Sequence, residues 1–208
     1  MKHYLKSFIA IIAQGLLPLC INVSLASNPS AVLPQRLIEA AHKQIGVTCS
    51  YDPAYTTLKY PGGDVPLERG VCTYVIIRSL RDQGIDLQKN INERMRKNWS
   101  LYPKKWGLSK PDSNIDHRRI PNIMTYLKFM KCAVSIDALK NPYGPGDIVV
   151  WDLGRGVLHI GLVSDYQVKN QARYMVIHNI GRGVQEEDIL ASYKIVAHFQ
   201  LGGKSLIS

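Results

Sequence analysis

Cys72 follows Gly70-Val71 and opens the run Cys72-Thr73-Tyr74-Val75-Ile76-Ile77. A thiol attacks as its thiolate, and a free cysteine has a pKa of about 8.5. The first turn of a helix offers unpaired N–H groups and the positive end of the dipole, both of which favour the anion. Cys72 therefore stands where a nucleophile would be placed. Most free cysteines are small buried residues and nothing more, so partners decide the matter. His159 begins His159-Ile160-Gly161-Leu162-Val163, just after the turn-like Gly154-Arg155-Gly156. An imidazole there can accept the thiol proton and return it to a leaving amine. His178 closes Met175-Val176-Ile177-His178 on the next predicted strand, with Asn179 beside it. Neighbouring strands lie about 4.8 Å apart, so either residue can orient the His159 ring, the third role in a triad. His42, His117 and His198 have no comparable setting.

The surrounding pattern supplies the elements. Residues 35–45 place Leu37, Ile38, Ala41 and Ile45 at helical spacing, with Gly46 as a stop. Residues 47–70 are rich in Tyr, Pro and Gly and read as an ordered loop turning at Asp52-Pro53 and Pro61-Gly62-Gly63. Residues 72–83 read as a helix with Val75, Ile76, Ser79 and Leu80 on one face, ended by Gly84. A short helix is expected from 88 to about Trp99, and another over 120–131 with Pro121 near its start. From Gly146 onward the segments DIVVWDL, HIGLVSD, RYMVIHNI and KIVAHFQL are short and β-branched or aromatic, as in an antiparallel sheet. Helices first and strands second predict an α+β fold.

The first residues carry Lys2 and Lys6, an apolar stretch from Phe8 to Val23 and a small-residue close at Ala26-Ser27. This is the anatomy of a secretory signal peptide, expected over 1–27 and followed by a single domain over 28–208. Gln14, Gly15, Pro18 and Asn22 interrupt the stretch, which makes it a poor membrane anchor. No membrane span is expected after signal cleavage. The net charge is +10, and residues 88–140 hold twelve basic and four acidic groups. The rest of the chain after the leader is balanced. Such a segment is either a solvated face or a surface for an anionic polymer. Export argues against nucleic acid and for cell wall. Cys49, Cys72 and Cys132 remain after the leader, and nothing in the sequence pins Cys49 close to Cys132 for a bridge.

Two resemblances cover these residues. Gly70-Val71-Cys72, Pro145-Gly146-Asp147-Ile148-Val149, His159-Ile160-Gly161 and His178 resemble the NlpC-type cell-wall peptidases of the papain-like superfamily, with Tyr60, Gly62 and Gly63 in place of that family's aromatic-Gly-Gly stretch. The segments YDPAY, YPGGDVP, GVCT, GIDLQ, WGL, PDSNIDHRRIPN, PGDIVVWDL, HIGLVSD and HNIGRG resemble the family called domain of unknown function 1287. The resemblance implies a papain-like (NlpC-type) fold, with N-terminal helices packed on a C-terminal antiparallel sheet. It also implies a departure: Tyr74 stands where that family is expected to carry an acid two residues after the Cys.

The expected activity is a periplasmic cysteine peptidase or amidase acting on the peptide part of peptidoglycan, without a cofactor. Cys72 would attack, His159 would move protons and His178 would orient it. The Cys72 backbone N–H is a candidate oxyanion donor, joined by a hydroxyl from Tyr51, Tyr55 or Tyr60. Arg118 and Arg119 either grip a substrate carboxylate or belong to a salt-bridged turn. Asp112, Asn114 and Asp116 lack the glycine and final acidic ligand of a calcium loop, so no metal is expected. The rival reading, motivated by Tyr74, is a catalytically weak module that binds wall or regulates another cell-wall enzyme. A metal-dependent hydrolase ranks below both, because the cysteines and histidines lack ligand spacing.

Overall fold

The structure, a computed structural model, describes residues 29–201. The expected signal peptide lies outside them. Four helices come in the first part of the chain: α1 (Pro29–His42), α2 (Cys72–Asp82), α3 (Leu87–Lys97) and α4 (Ile120–Phe129). Short 3-10 turns at Trp99–Leu101 and Asp116–Arg118 lie between α3 and α4. The strands are β1 (Ser50–Tyr51), β2 (Arg69–Gly70), β3 (Ala133–Val134), β4 (Ile148–Asp152), β5 (Leu158–Gln167), β6 (Tyr174–His178), β7 (Gln185–Glu187) and β8 (Lys194–Phe199). β3 to β8 form one antiparallel sheet in the order β3-β8-β4-β5-β6-β7, and β1 and β2 form a small parallel pair. The architecture is thus mixed α and β, with helices first and an antiparallel sheet after them. Among the described residues no helix is long and apolar enough to cross a membrane.

Alternation sorts the strand side chains into two sets. Ile148, Val150, Ile160, Leu162, Ile177 and Phe199 join Leu37, Ile38, Val75, Ile76 and Leu80 of α1 and α2 in the main core. Val149, Trp151, Val163, Val176 and Leu190 form a second, smaller core. The GD turn before β4 has a steric basis. Gly146 has φ of 82°, and a Cβ there would come within 2.5 Å of the Pro34 Cβ on α1.

Several expectations shift. α1 begins before residue 35, contains Pro34 and ends at His42, so Ile45 falls in the following turn and is exposed. α4 ends at Phe129, earlier than expected, and Lys131 then takes a positive φ. β3 and β7 have no counterpart among the predicted strands. Both are short, and β7 reads Gln-Glu-Glu, with neither alternation nor a β-branched residue to announce it.

Candidate active site

Cys72 is the first residue of α2. Its placement depends on the loop before it, which Arg78 and Asn179, among other side chains, tie to the rest of the fold. Arg78, one turn and a half along α2, donates to both oxygens of Asp64 at 3.1 Å, to Thr48 Oγ1 at 2.8 Å and to the carbonyls of Val65, Pro66, Leu67 and Arg69. Asn179 donates to Gly70 O at 3.2 Å and to Ser50 O at 3.4 Å, and its Oδ1 accepts from Gly181 N. Asn179 therefore clamps the β1–β2 pair just ahead of Cys72 and does not orient His159.

The thiol lies against β5 at Ile160, the residue after His159, with the Tyr51 hydroxyl beside it. It is 5% exposed. The helix start was expected to pull the thiol toward its anion. Burial instead pushes its pKa up, and this outweighs the hydrogen bonds from Ile160, Tyr51, Thr73 and the Cys72 backbone that favour the thiolate. Tyr51 is pushed up to about 12, first by burial and then by Cys72, so its hydroxyl stays a donor.

His159 and His178 come together as a direct consequence of register. Leu162 pairs with Ile177 across β5 and β6, so Gly161 stands opposite His178 and His159 sits two residues along the same face. Gly161 leaves the room: a Cβ there would meet Val176 Cγ1 at 2.7 Å and His178 Cβ at 3.2 Å. The result is a bond between His159 Nε2 and His178 Nδ1 of 2.9 Å. Trp151 flanks the His159 ring at 5.9 Å between centroids. Burial, then His178, lowers the His159 pKa to about 3, so the ring is neutral at neutral pH. The resting site is thus a neutral thiol and a neutral imidazole. Among the described residues no hydrogen bond joins the two. Such bonds are often long or misaligned before substrate arrives.

Cys72 opens onto a cleft of about 410 Å³, lined among others by Tyr51, Lys105, Trp106, Arg118 and Arg119. Its lining holds three cations and, among the described residues, no carboxylate. Arg118 is mostly committed to the loop, donating to Ala54 O at 2.8 Å and Asp52 O at 3.3 Å. Arg119 pairs with Asp116 at 2.9 Å and lies 4.1 Å from the Trp106 ring centre. The arginines are thus tied into a turn and also line the cleft.

Other expected residues lie elsewhere. The Tyr55 hydroxyl bonds to Asp112 and Asn114, which fastens one loop to another. Tyr60 is exposed beside the charges of Glu93, Arg96 and Asp86 and does not line the cleft. Tyr74 is 1% exposed; its ring packs on Gly70 with Arg78 and Arg118 at 4.8 and 5.5 Å from the centroid. Its hydroxyl has no hydrogen-bond partner among the described residues. Among the described residues Cys49 is exposed, Cys72 and Cys132 are buried, and no disulfide joins Cys49 to Cys132. Among the described residues there is no cluster of three or more metal-ligating side chains. Glu187 on β7, bonded to His178, escaped the sequence reading altogether.

The chain belongs to the family described as domain of unknown function (DUF1287), whose model matches residues 38–201. It is 52% identical over 166 residues to a protein of Escherichia coli (strain K12) carrying the description "Uncharacterized protein YijF", covering 79% of this chain and 80% of that one. No solved structure matches it.

Proposed function

We propose that this protein is an exported cysteine hydrolase of the papain-like, NlpC-type class that cleaves the peptide part of peptidoglycan as an endopeptidase or amidase. The observation that carries the reading is Cys72 at the start of α2, lining a cationic cleft and held against the backbone of Ile160 on β5, the residue after His159, whose ring pairs with His178. The Cys72 Sγ attacks the scissile carbonyl carbon, and its proton passes to His159. His159 returns the proton to the leaving amine as the C–N bond breaks, which leaves a thioester. Water, deprotonated by His159, then releases the acid and restores the thiol. The Tyr51 hydroxyl and the Cys72 backbone N–H are the candidate donors for the oxyanion. The three cleft cations suit a substrate bearing free carboxylates, as wall peptides do.

A second reading, a wall-binding module without hydrolysis, draws on the raised thiol pKa and on the apolar ring of Tyr74 beside Arg118. One experiment separates the two. Purified muropeptides are incubated with the protein and the products weighed by mass spectrometry. Cleavage that vanishes in Cys72→Ser is the expected result. Cleavage that survives the substitution rejects the mechanism. Binding of muropeptides without any cleavage selects the second reading.

A further inference from the structure

His178 is hydrogen-bonded on both ring nitrogens. Nδ1 faces His159 Nε2 at 2.9 Å, and Nε2 faces Glu187 Oε2 at 3.0 Å. The other oxygen of Glu187 accepts from Arg182 Nη2 at 3.0 Å. Register explains the reach: Val176 pairs with Glu187 and His178 with Gln185, so Glu187 and His178 are diagonal neighbours on one face.

Elementary hydrogen bookkeeping then settles every proton in the row. An ionised carboxylate only accepts, so the proton between Glu187 and His178 sits on His178 Nε2. A neutral imidazole has one N–H, so His178 Nδ1 is an acceptor. The proton between the rings must therefore belong to His159 Nε2. This leaves a lone pair on His159 Nδ1, which has no hydrogen-bond partner among the described residues. A donor in place of Glu187, or a second proton on His178, would reverse the row and put a hydrogen on His159 Nδ1. That ring could not then accept the thiol proton. The groups facing His178 are His159 from β5, Glu187 from β7 and Arg182 from the β6–β7 loop. Burial lowers the His178 pKa while Glu187 opposes the shift, which is consistent with a neutral ring.

We propose that Glu187 is a positioning residue that fixes the proton of His159 on Nε2 and so keeps Nδ1 as the base for Cys72. Its use in catalysis rests on the hydrolase reading; the tautomer itself does not.

Nitrogen-15 NMR of histidine-labelled protein at neutral pH tests it. The expected wild-type result is a protonated Nε2 and a bare Nδ1 on His159. Glu187→Lys supplies a donor and is expected to move the proton to Nδ1, with alkylation of Cys72 by iodoacetamide slowed about 100-fold or more, the contribution of a positioned base. Glu187→Ala, which needs no new charge to be accommodated, is expected to give a mixture of the two tautomers. Arg182→Ala, which leaves the carboxylate in place, keeps the wild-type pattern. A hydrogen on His159 Nδ1 in the wild type, or a pattern unchanged in Glu187→Ala, overturns the proposal. The expected tautomers in a protein that cuts no muropeptide would remove the hydrolase reading alone. Cleavage alongside the opposite tautomer would remove this inference alone.

Discussion

His117 offers a quantitative test of how the cleft wall is held. It lies in the 3-10 turn that carries Arg118, is 1% exposed, and among the described residues has no hydrogen-bond partner on either ring nitrogen. Burial, then the charges of Arg81 and Arg118, lowers its pKa from 6.5 to about 3. Below pH 6.5 the unfolded chain binds a proton at this ring and the folded chain does not. Stability is therefore intact above that pH and falls as pH drops toward 3, by about 1.4 kcal/mol per pH unit once well below 6.5. Between pH 8 and pH 5 the loss from this one ring comes to about 2 kcal/mol. His117→Leu removes the titration and leaves both arginines. Urea unfolding of wild type and variant at the two pH values measures the effect. The gap between pH 8 and pH 5 is expected to be smaller in the variant by about that amount, while His159 and His178 still contribute theirs. An equal gap in both proteins would refute the argument and mean that the His117 ring is protonated in the folded state.

Gly161→Ala is expected to cost about 1–3 kcal/mol and to shift the His178 NMR signals, because the new methyl meets Val176 and His178; unchanged signals would show that β5 and β6 have slack. Arg78→Ala is expected to cost about 3–5 kcal/mol in urea unfolding, since it strips a buried cation from Asp64 and four loop carbonyls. Iodoacetamide at neutral pH is expected to modify the exposed Cys49 before Cys72, with Cys72 gaining as pH rises; mass spectrometry of the digests gives the order, and Cys72 first would contradict the raised thiol pKa. Binding to isolated sacculi is expected to weaken between 0.1 M and 1 M salt, as screening shortens from about 10 Å to about 3 Å; binding indifferent to salt would make residues 88–140 a merely solvated face.

What could be read from the sequence follows a physical pattern. α2 announced itself through Val75, Ile76, Ser79 and Leu80, all buried. The four long strands did so through β-branched runs between turns. His178 could be placed near His159 because neighbouring strands of one sheet have few ways to pair. Glu187 could not be found this way, since its strand is three polar residues long and owes its existence to the sheet beside it. The tyrosines were beyond reach for another reason. Tyr51, Tyr55 and Tyr60 share one predicted loop, and only long-range ties such as the pairing of β1 with β2 and Asn114 to Tyr55 decide which of them turns toward the thiol. The thiol pKa was misjudged because a helix start is visible in sequence, whereas the depth of burial around it is not.

His178 and Asn179 are consecutive, yet they serve opposite halves of the site. The imidazole bonds the ring of His159, and the amide next to it grips the carbonyls of Ser50 and Gly70 ahead of Cys72. One rigid peptide unit, planar and of fixed length, thus spaces the partner of the His159 ring from the clamp on the strands that lead into α2. The offset between these two ties is set by bond lengths of the backbone at this point, and not by the softer packing of the core.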